Sequence, residues 1–61
     1  MKPGDIVRHR HNKRLILGKI LEVSRSGKSA YVEWIEYDRN YFKYFRPSRA
    51  YYHIENLKKM E

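Results

Sequence analysis

Two groups of side chains in this sequence have the types and spacing to do chemistry. The first is the run Arg8-His9-Arg10-His11-Asn12-Lys13-Arg14, in which four permanent positive charges are interspersed with two imidazoles and one amide. Arginine presents a planar fork that grips phosphate oxygens with paired hydrogen bonds, and a file of cations can track a nucleic-acid backbone. Lys43, Arg46 and Arg49 would extend that field where the chain brings them near. The second group is aromatic. Tyr31, Tyr37, Tyr41 and Phe45 are interleaved with cations, a composition found on surfaces that stack unpaired bases. The set expected to meet nucleic acid, DNA or RNA, is therefore Arg8, Arg10, Lys13, Arg14, Lys43, Arg46 and Arg49 for phosphates, with Tyr41 and Phe45 for bases.

Each group also admits a plainer use. The basic run suits a solvated loop, or one that complements an acidic protein partner or assembly. Tyr31, Ile35, Tyr37, Tyr41 and Phe45 equally suit a protein-docking face, because Tyr, Phe and Arg are enriched at interfaces. In a strongly bent barrel several of the same rings would simply complete the core. A cage for a methylated cation would need Trp34, Tyr37, Tyr41 and Phe42 on one side. His9 and His11, two residues apart on a strand, share a face, but two imidazoles fall short of a metal site. No metal or cofactor is expected. Nor is an enzyme: there is no nucleophile–base arrangement, no phosphate-cradling glycine loop and no sheltered carboxylate pair, so neither catalytic residues nor a small-molecule substrate are assigned.

The positive balance reinforces the first alternative. Fourteen Lys and Arg oppose seven Asp and Glu, a formal charge of +7 on 61 residues, which favours polyanions or acidic surfaces. So short a chain forms one domain, residues 1–61, with a single modest core, and without cysteine its stability must come from packing. Pro3-Gly4-Asp5 follows Met1-Lys2 where a signal peptide would be apolar. The longest aliphatic run, Leu15-Ile16-Leu17, is far short of a membrane span. A soluble cytoplasmic protein with no membrane partner is the expectation.

The elements that must position these groups are strands. Ala30 to Phe45 holds every aromatic residue except Tyr51 and Tyr52 and alternates like a pleated, half-buried surface, broken only by Asp38-Arg39-Asn40. A three-residue loop there, with Asn40 left-handed, predicts a hairpin. Its register sets Tyr37 against Tyr41, Ile35 against Lys43, Trp34 against Tyr44 and Glu33 against Phe45. Ala30, Val32, Trp34, Phe42 and Tyr44 then form the core face. Tyr31, Glu33, Ile35, Tyr37, Tyr41, Lys43 and Phe45 form a charged aromatic face. Ahead of it, Ile6–Arg10 reads as a first strand and Lys19–Ser24 as a second, with Gly18 at a bend or bulge. A turn at Ser24–Lys28 with Gly27 at positive φ sets Ser24 opposite Lys28, Ile20 opposite Val32, Lys19 opposite Glu33, Leu21 opposite Tyr31 and Glu22 opposite Ala30. Arg46–Ala50 is an irregular link, Ile54-Glu55-Asn56-Leu57 a single helical turn, and Lys58-Lys59-Met60 a last short strand. Four to five short antiparallel strands can shelter a core only by curling, which predicts an all-β, small SH3-like barrel.

Pro3-Gly4-Asp5-Ile6-Val7-Arg8, Gly18-Lys19-Ile20-Leu21-Glu22-Val23, Tyr31-Val32-Glu33-Trp34 and His53-Ile54-Glu55-Asn56-Leu57 together resemble the landmarks of SH3-like small barrels of the KOW and Tudor type. Small proteins of bacteriophage genomes look similar. The resemblance spans nearly the whole chain and implies a barrel with a helical turn before its last strand. It implies binding of RNA, DNA, methylated side chains or protein subunits, or a structural place in a phage-type or ribonucleoprotein assembly, and so a host cytoplasm for a viral protein. Arg8–Arg14 and Tyr41–Tyr52 depart from the shared pattern, and any specific role would lie there.

Overall fold

The computed structural model describes residues 1–60. Five antiparallel strands make one strongly curled half-barrel sheet: β1 (Ile6–His9), β2 (Leu15–Val23), β3 (Ser29–Tyr37), β4 (Ala50–His53) and β5 (Leu57–Lys59). Their order is β4-β3-β2-β1-β5, and a 3-10 turn at Ile54–Asn56 leads into β5. The chain is thus all-β and barrel-like, with its one short helical turn just before the last strand.

The curl has an identifiable origin in the long β2–β3 pair. Ile20 opposes Val32 and Lys19 opposes Glu33, the two central pairs expected from the alternation. On either side the register shifts, leaving Leu21 and Ile16 on β2 and Ile35 on β3 without partners. Each extra residue bends its strand and increases the local twist. Next to one shift, Gly18 lies where a Cβ would come within 2.6 Å of Val32 Cγ1 and 2.7 Å of Trp34 Cε3. Only glycine lets β2 approach the side chains of β3 that closely.

Inside the curl, Val7, Ile20, Val32 and Leu57 are fully enclosed, with Leu15, Ala30 and Trp34 also buried. Enclosing each large aliphatic side chain is worth roughly 1.5–3 kcal/mol. Val23, Tyr37, Phe42, Tyr52 and Ile54 pack around this centre. The Trp34 indole N–H donates to the Tyr52 hydroxyl at 3.2 Å, so the one polar atom of the indole is matched. The Pro3-Gly4-Asp5 turn is laced to β2: the Gly4 N–H donates to the Ile20 carbonyl at 2.8 Å and the Ile20 N–H to the Asp5 carbonyl at 2.9 Å. Asp5 itself is buried, accepting the Lys2 N–H and lying 3.8 Å from Lys59 Nζ.

Three expectations need correction. First, Tyr41–Phe45 is not a strand, and the neighbour of β3 is β4, with Tyr31 opposite Tyr51 and Val32 opposite Ala50. The cause is Asp38. Its carboxylate accepts the N–H groups of Asn40 and Tyr41, and the Phe42 N–H reaches back to the Asp38 carbonyl at 2.9 Å. That is one capped helical turn, a local alternative that Asp side chains offer in competition with strand pairing. Asn40 is accordingly not left-handed: among the described residues only Gly4 and Gly27 have positive φ. The pairs of Ile35 with Lys43, Trp34 with Tyr44 and Glu33 with Phe45 do not form, and Tyr44, expected inside, is 87% exposed.

Second, the β2–β3 turn closes Ser24 on Ser29, through the Ser24 N–H and the Ser29 carbonyl, and not on Lys28. Val23 therefore meets Ala30, and Glu22 meets Tyr31. The extra residue in the turn is cancelled by the unpaired Leu21, which restores the central register. Third, β2 begins at Leu15, earlier than the expected Lys19, while β1 ends at His9.

Candidate functional site

The connection from β1 to β2 is built by His9. Its Nδ1 accepts the backbone N–H groups of His11 and Asn12, at 3.1 and 3.0 Å. Asn12 Oδ1 in turn accepts the Arg14 N–H. A ring nitrogen that accepts two N–H groups carries no proton. The pKa of His9 is also held below its ordinary value, first by burial and second by the charge of His11. Its ring also packs edge-on against Tyr52, at 5.6 Å between centroids. With Nδ1 engaged in this way, His9 and His11 are a loop-building pair. Among the described residues no group of three or more His, Asp or Glu is placed to hold a metal.

This arrangement divides the basic run. Arg8 sits on β1 opposite Lys58. Arg10 is fastened to the far end of the chain, its backbone N–H donating to the Asn56 carbonyl and its Nε to the Leu57 carbonyl. Lys13 and Arg14 are exposed at the loop. There the Arg14 carbonyl accepts the Asp38 N–H at 2.9 Å, so the loop abuts the Asp38-capped turn. The Arg14 guanidinium lies 4.2 Å over the Tyr41 ring.

Tyr41 belongs to an edge-to-face cluster centred on Phe42, with Tyr37 at 5.6 Å, Tyr41 at 4.8 Å and Phe45 at 5.7 Å. Phe42 is the half-buried hub, while Tyr41 and Phe45 are 54% and 63% exposed. Lys43 is exposed beside Tyr44, its Nζ 5.3 Å from that ring. Tyr37, Tyr41 and Phe45, expected together on a strand face, are therefore together, but around a helical turn. Ile35 is exposed at 49% on the adjoining part of β3. Tyr31 is not with them. It stacks on Tyr51 at 5.0 Å, six positions up β3 from Tyr37, about 20 Å of strand. Glu22 is the cross-strand neighbour of Tyr31 there. The Tyr51 hydroxyl has its pKa raised, first by desolvation and then by the neighbouring Glu22 carboxylate.

Beside β3 lies an open groove of about 500 Å³ into which Arg39, Arg46 and Arg49 face, with Trp34, Tyr37 and Pro47. Glu33 contributes a carboxylate to it, but this oxygen is held by Arg49 Nε at 3.2 Å. Lys19 lies opposite Glu33 as expected, and the salt bridge of Glu33 is made with Arg49. The Arg39 guanidinium lies 5.0 Å over the Tyr37 ring. Arg39 was absent from the sequence-based set because its place in the Asp38-Arg39-Asn40 break suggested only a turn residue. Its position between two tyrosines was the available signal. A second hollow, of about 580 Å³, adjoins it in sequence through His11, Asn12, Lys13, Arg14 and Asp38.

What the arrangement offers chemically is chiefly cation and ring surface. No protein-family model, curated protein or solved structure matches the chain.

Proposed function

We propose that this chain is a small binding module for nucleic acid, gripping phosphates with little sequence preference. The observation that carries this is the gathering of Arg39, Arg46 and Arg49 around one groove, with Arg14 stacked on Tyr41 on the other side of the Asp38 turn. Cations alternating with exposed rings suit a polyanion that also offers flat bases. Lys13, Arg14, Arg39, Lys43 and Arg46 are the phosphate anchors, and Tyr41 and Phe45 the stacking surfaces. Arg8 and Arg10, on the β1–β5 side, add to the general positive field. If about four phosphates are neutralised, the logarithm of the binding constant falls against that of salt with a slope of about −3 to −4. Titrating fluorescent single- and double-stranded oligonucleotides at two salt concentrations tests this, and absence of binding at low salt ends it.

A second reading is supported by the exposure of Ile35, Tyr44 and Phe45, types enriched at protein interfaces. In it the module docks on an acidic protein surface as a subunit of a larger assembly, phage-type or ribonucleoprotein. Loss of a protein complex on Tyr41→Ala, with Arg14→Gln changing only its salt dependence, would favour docking over nucleic acid.

A further inference from the structure

The groove beside β3 stands where a strand is missing. β4 covers β3 only from Ser29 to Val32, so between Glu33 and Tyr37 β3 has a strand partner on its β2 side alone. The chain that might have paired there curls into the Asp38-capped turn and returns through Arg46-Pro47-Ser48-Arg49 as the groove's outer wall. The resulting hollow is about 500 Å³, within the range of about 300–1,000 Å³ that small ligands fill. Three arginines face one carboxylate in it, and that carboxylate is already held by Arg49. Arg39 and Arg46 have no ion-pair partner among the described residues. An anionic occupant complements this charge, and Tyr37 and Pro47, with the small exposed part of Trp34, suit one that is also flat and partly apolar.

We infer that the groove seats one unpaired nucleotide of a single strand, with its base against Tyr37 and the Arg39 guanidinium plane and its flanking phosphates on Arg39 and Arg46. This rests on the nucleic-acid reading above and narrows it to single strands. Guanidinium planes and tyrosine rings both stack on bases that have been freed from a helix. A duplex keeps its base faces against one another, so it can meet the outer cations but cannot fill this hollow.

Trp34 is the only tryptophan and lines the groove, so its emission is a built-in probe. The experiment titrates the intact chain with an oligothymidylate, a duplex of equal charge and an oligoglutamate peptide, all at one salt concentration. Expected is quenching of Trp34 by the single strand, with affinity at least about tenfold above that for the duplex. Arg39→Gln combined with Arg46→Gln should weaken single-strand binding at least about tenfold and leave duplex binding less affected. Lys28→Gln, in the turn at the other end of β3, should change neither beyond a small uniform loss. Far-ultraviolet circular dichroism checks that the double variant is folded. Arg46→Gln alone, outside every strand, repeats the test with a loss of about threefold or more. Equal affinity for both nucleic acids, weakened alike by the variants, overturns the groove inference while leaving nucleic-acid binding intact. No binding to either overturns both. Equal quenching by oligoglutamate would identify an acidic polypeptide as the ligand and overturn the nucleotide assignment.

Discussion

Replacing Gly18 by alanine tests the packing that shapes this molecule. The added Cβ would lie 2.6 Å from Val32 Cγ1, 2.7 Å from Trp34 Cε3 and 2.9 Å from Trp34 Cζ3. Val32 is fully enclosed and Trp34 is 6% exposed, so neither can swing into solvent, and β2 must lift away from the β3 side chains. Overpacking of this kind costs about 1–3 kcal/mol. Alanine also stiffens the unfolded chain, which returns about 0.4–1 kcal/mol. The net loss therefore lies between about 0 and about 2.6 kcal/mol, about 1.3 kcal/mol at mid-range. For a domain this small each kcal/mol lowers Tm by roughly 4–8 °C, so a fall of about 5–10 °C is expected. Thermal melts followed by circular dichroism and by Trp34 emission measure it. The double variant Gly18→Ala/Val32→Ala separates the steric cause from a general intolerance of alanine. Removing Val32 Cγ1 takes away the nearest clash, so the double variant should be more stable than the sum of the single effects implies, by about 0.5 kcal/mol or more. Strict additivity, or a Gly18→Ala protein more stable than the parent, would refute the close approach of β2 to Val32 and Trp34.

Other perturbations probe the site and its supports. Asp38→Ala removes the acceptor for two N–H groups and should cost about 1 kcal/mol in a denaturant melt, while weakening oligonucleotide binding because Arg39 and Tyr41 lose their fixed placement. Glu33→Gln frees Arg49 from its 3.2 Å ion pair, and oligonucleotide affinity should rise about two- to tenfold at low salt with a steeper salt dependence. His9 couples stability to pH. Its pKa is lower folded than its ordinary 6.5, so the unfolded chain takes up the proton first. The contribution of His9 is complete above about pH 6.5 and is lost as pH falls below that towards the folded-state value. Melts between about pH 7.5 and about pH 5 should show a decline that is smaller in His9→Asn.

Much of the sheet was legible because burial enforces alternation. Ala30, Val32 and Trp34 repeat at every second position, and a slip of one residue would have turned all three to water. The pairing of Ile20 with Val32 follows, whereas Gly18, expected only at a bend or bulge, pairs with Trp34 inside β2, and the short helical turn before the last strand was marked by a segment too short for anything longer. The outer parts failed where local chemistry competes with pairing. Tyr41, Phe42, Tyr44 and Phe45 are strand-forming types, yet strand preference depends on a neighbour to pair with, and the Asp38 carboxylate caps a helical turn there in place of pairing. The same event explains the candidate site. Tyr37, Tyr41 and Phe45 still meet, through Phe42, but Arg39 acquires a role that no alternation pattern could assign. The basic run divided because alternation along β1, the imidazole of His9 and the carbonyls of Asn56 and Leu57 all act on it separately. Adjacent charges in sequence were not adjacent charges in space.

The uncovered half of β3 also bears on solubility. A strand edge without a partner is a template on which a second chain can add, and proteins commonly guard such edges with charge or proline. Here Pro47 and the guanidinium groups of Arg39, Arg46 and Arg49 stand along that side, so two copies approaching edge to edge would repel. A polyanion that neutralises these arginines removes the guard while it occupies the groove. As it dissociates, or at ratios where charge is balanced but grooves are partly empty, self-association should be at its strongest. Light scattering through such a titration should then peak near charge balance and clear again in excess oligonucleotide, a re-entrant behaviour rooted in one short stretch of unpaired backbone.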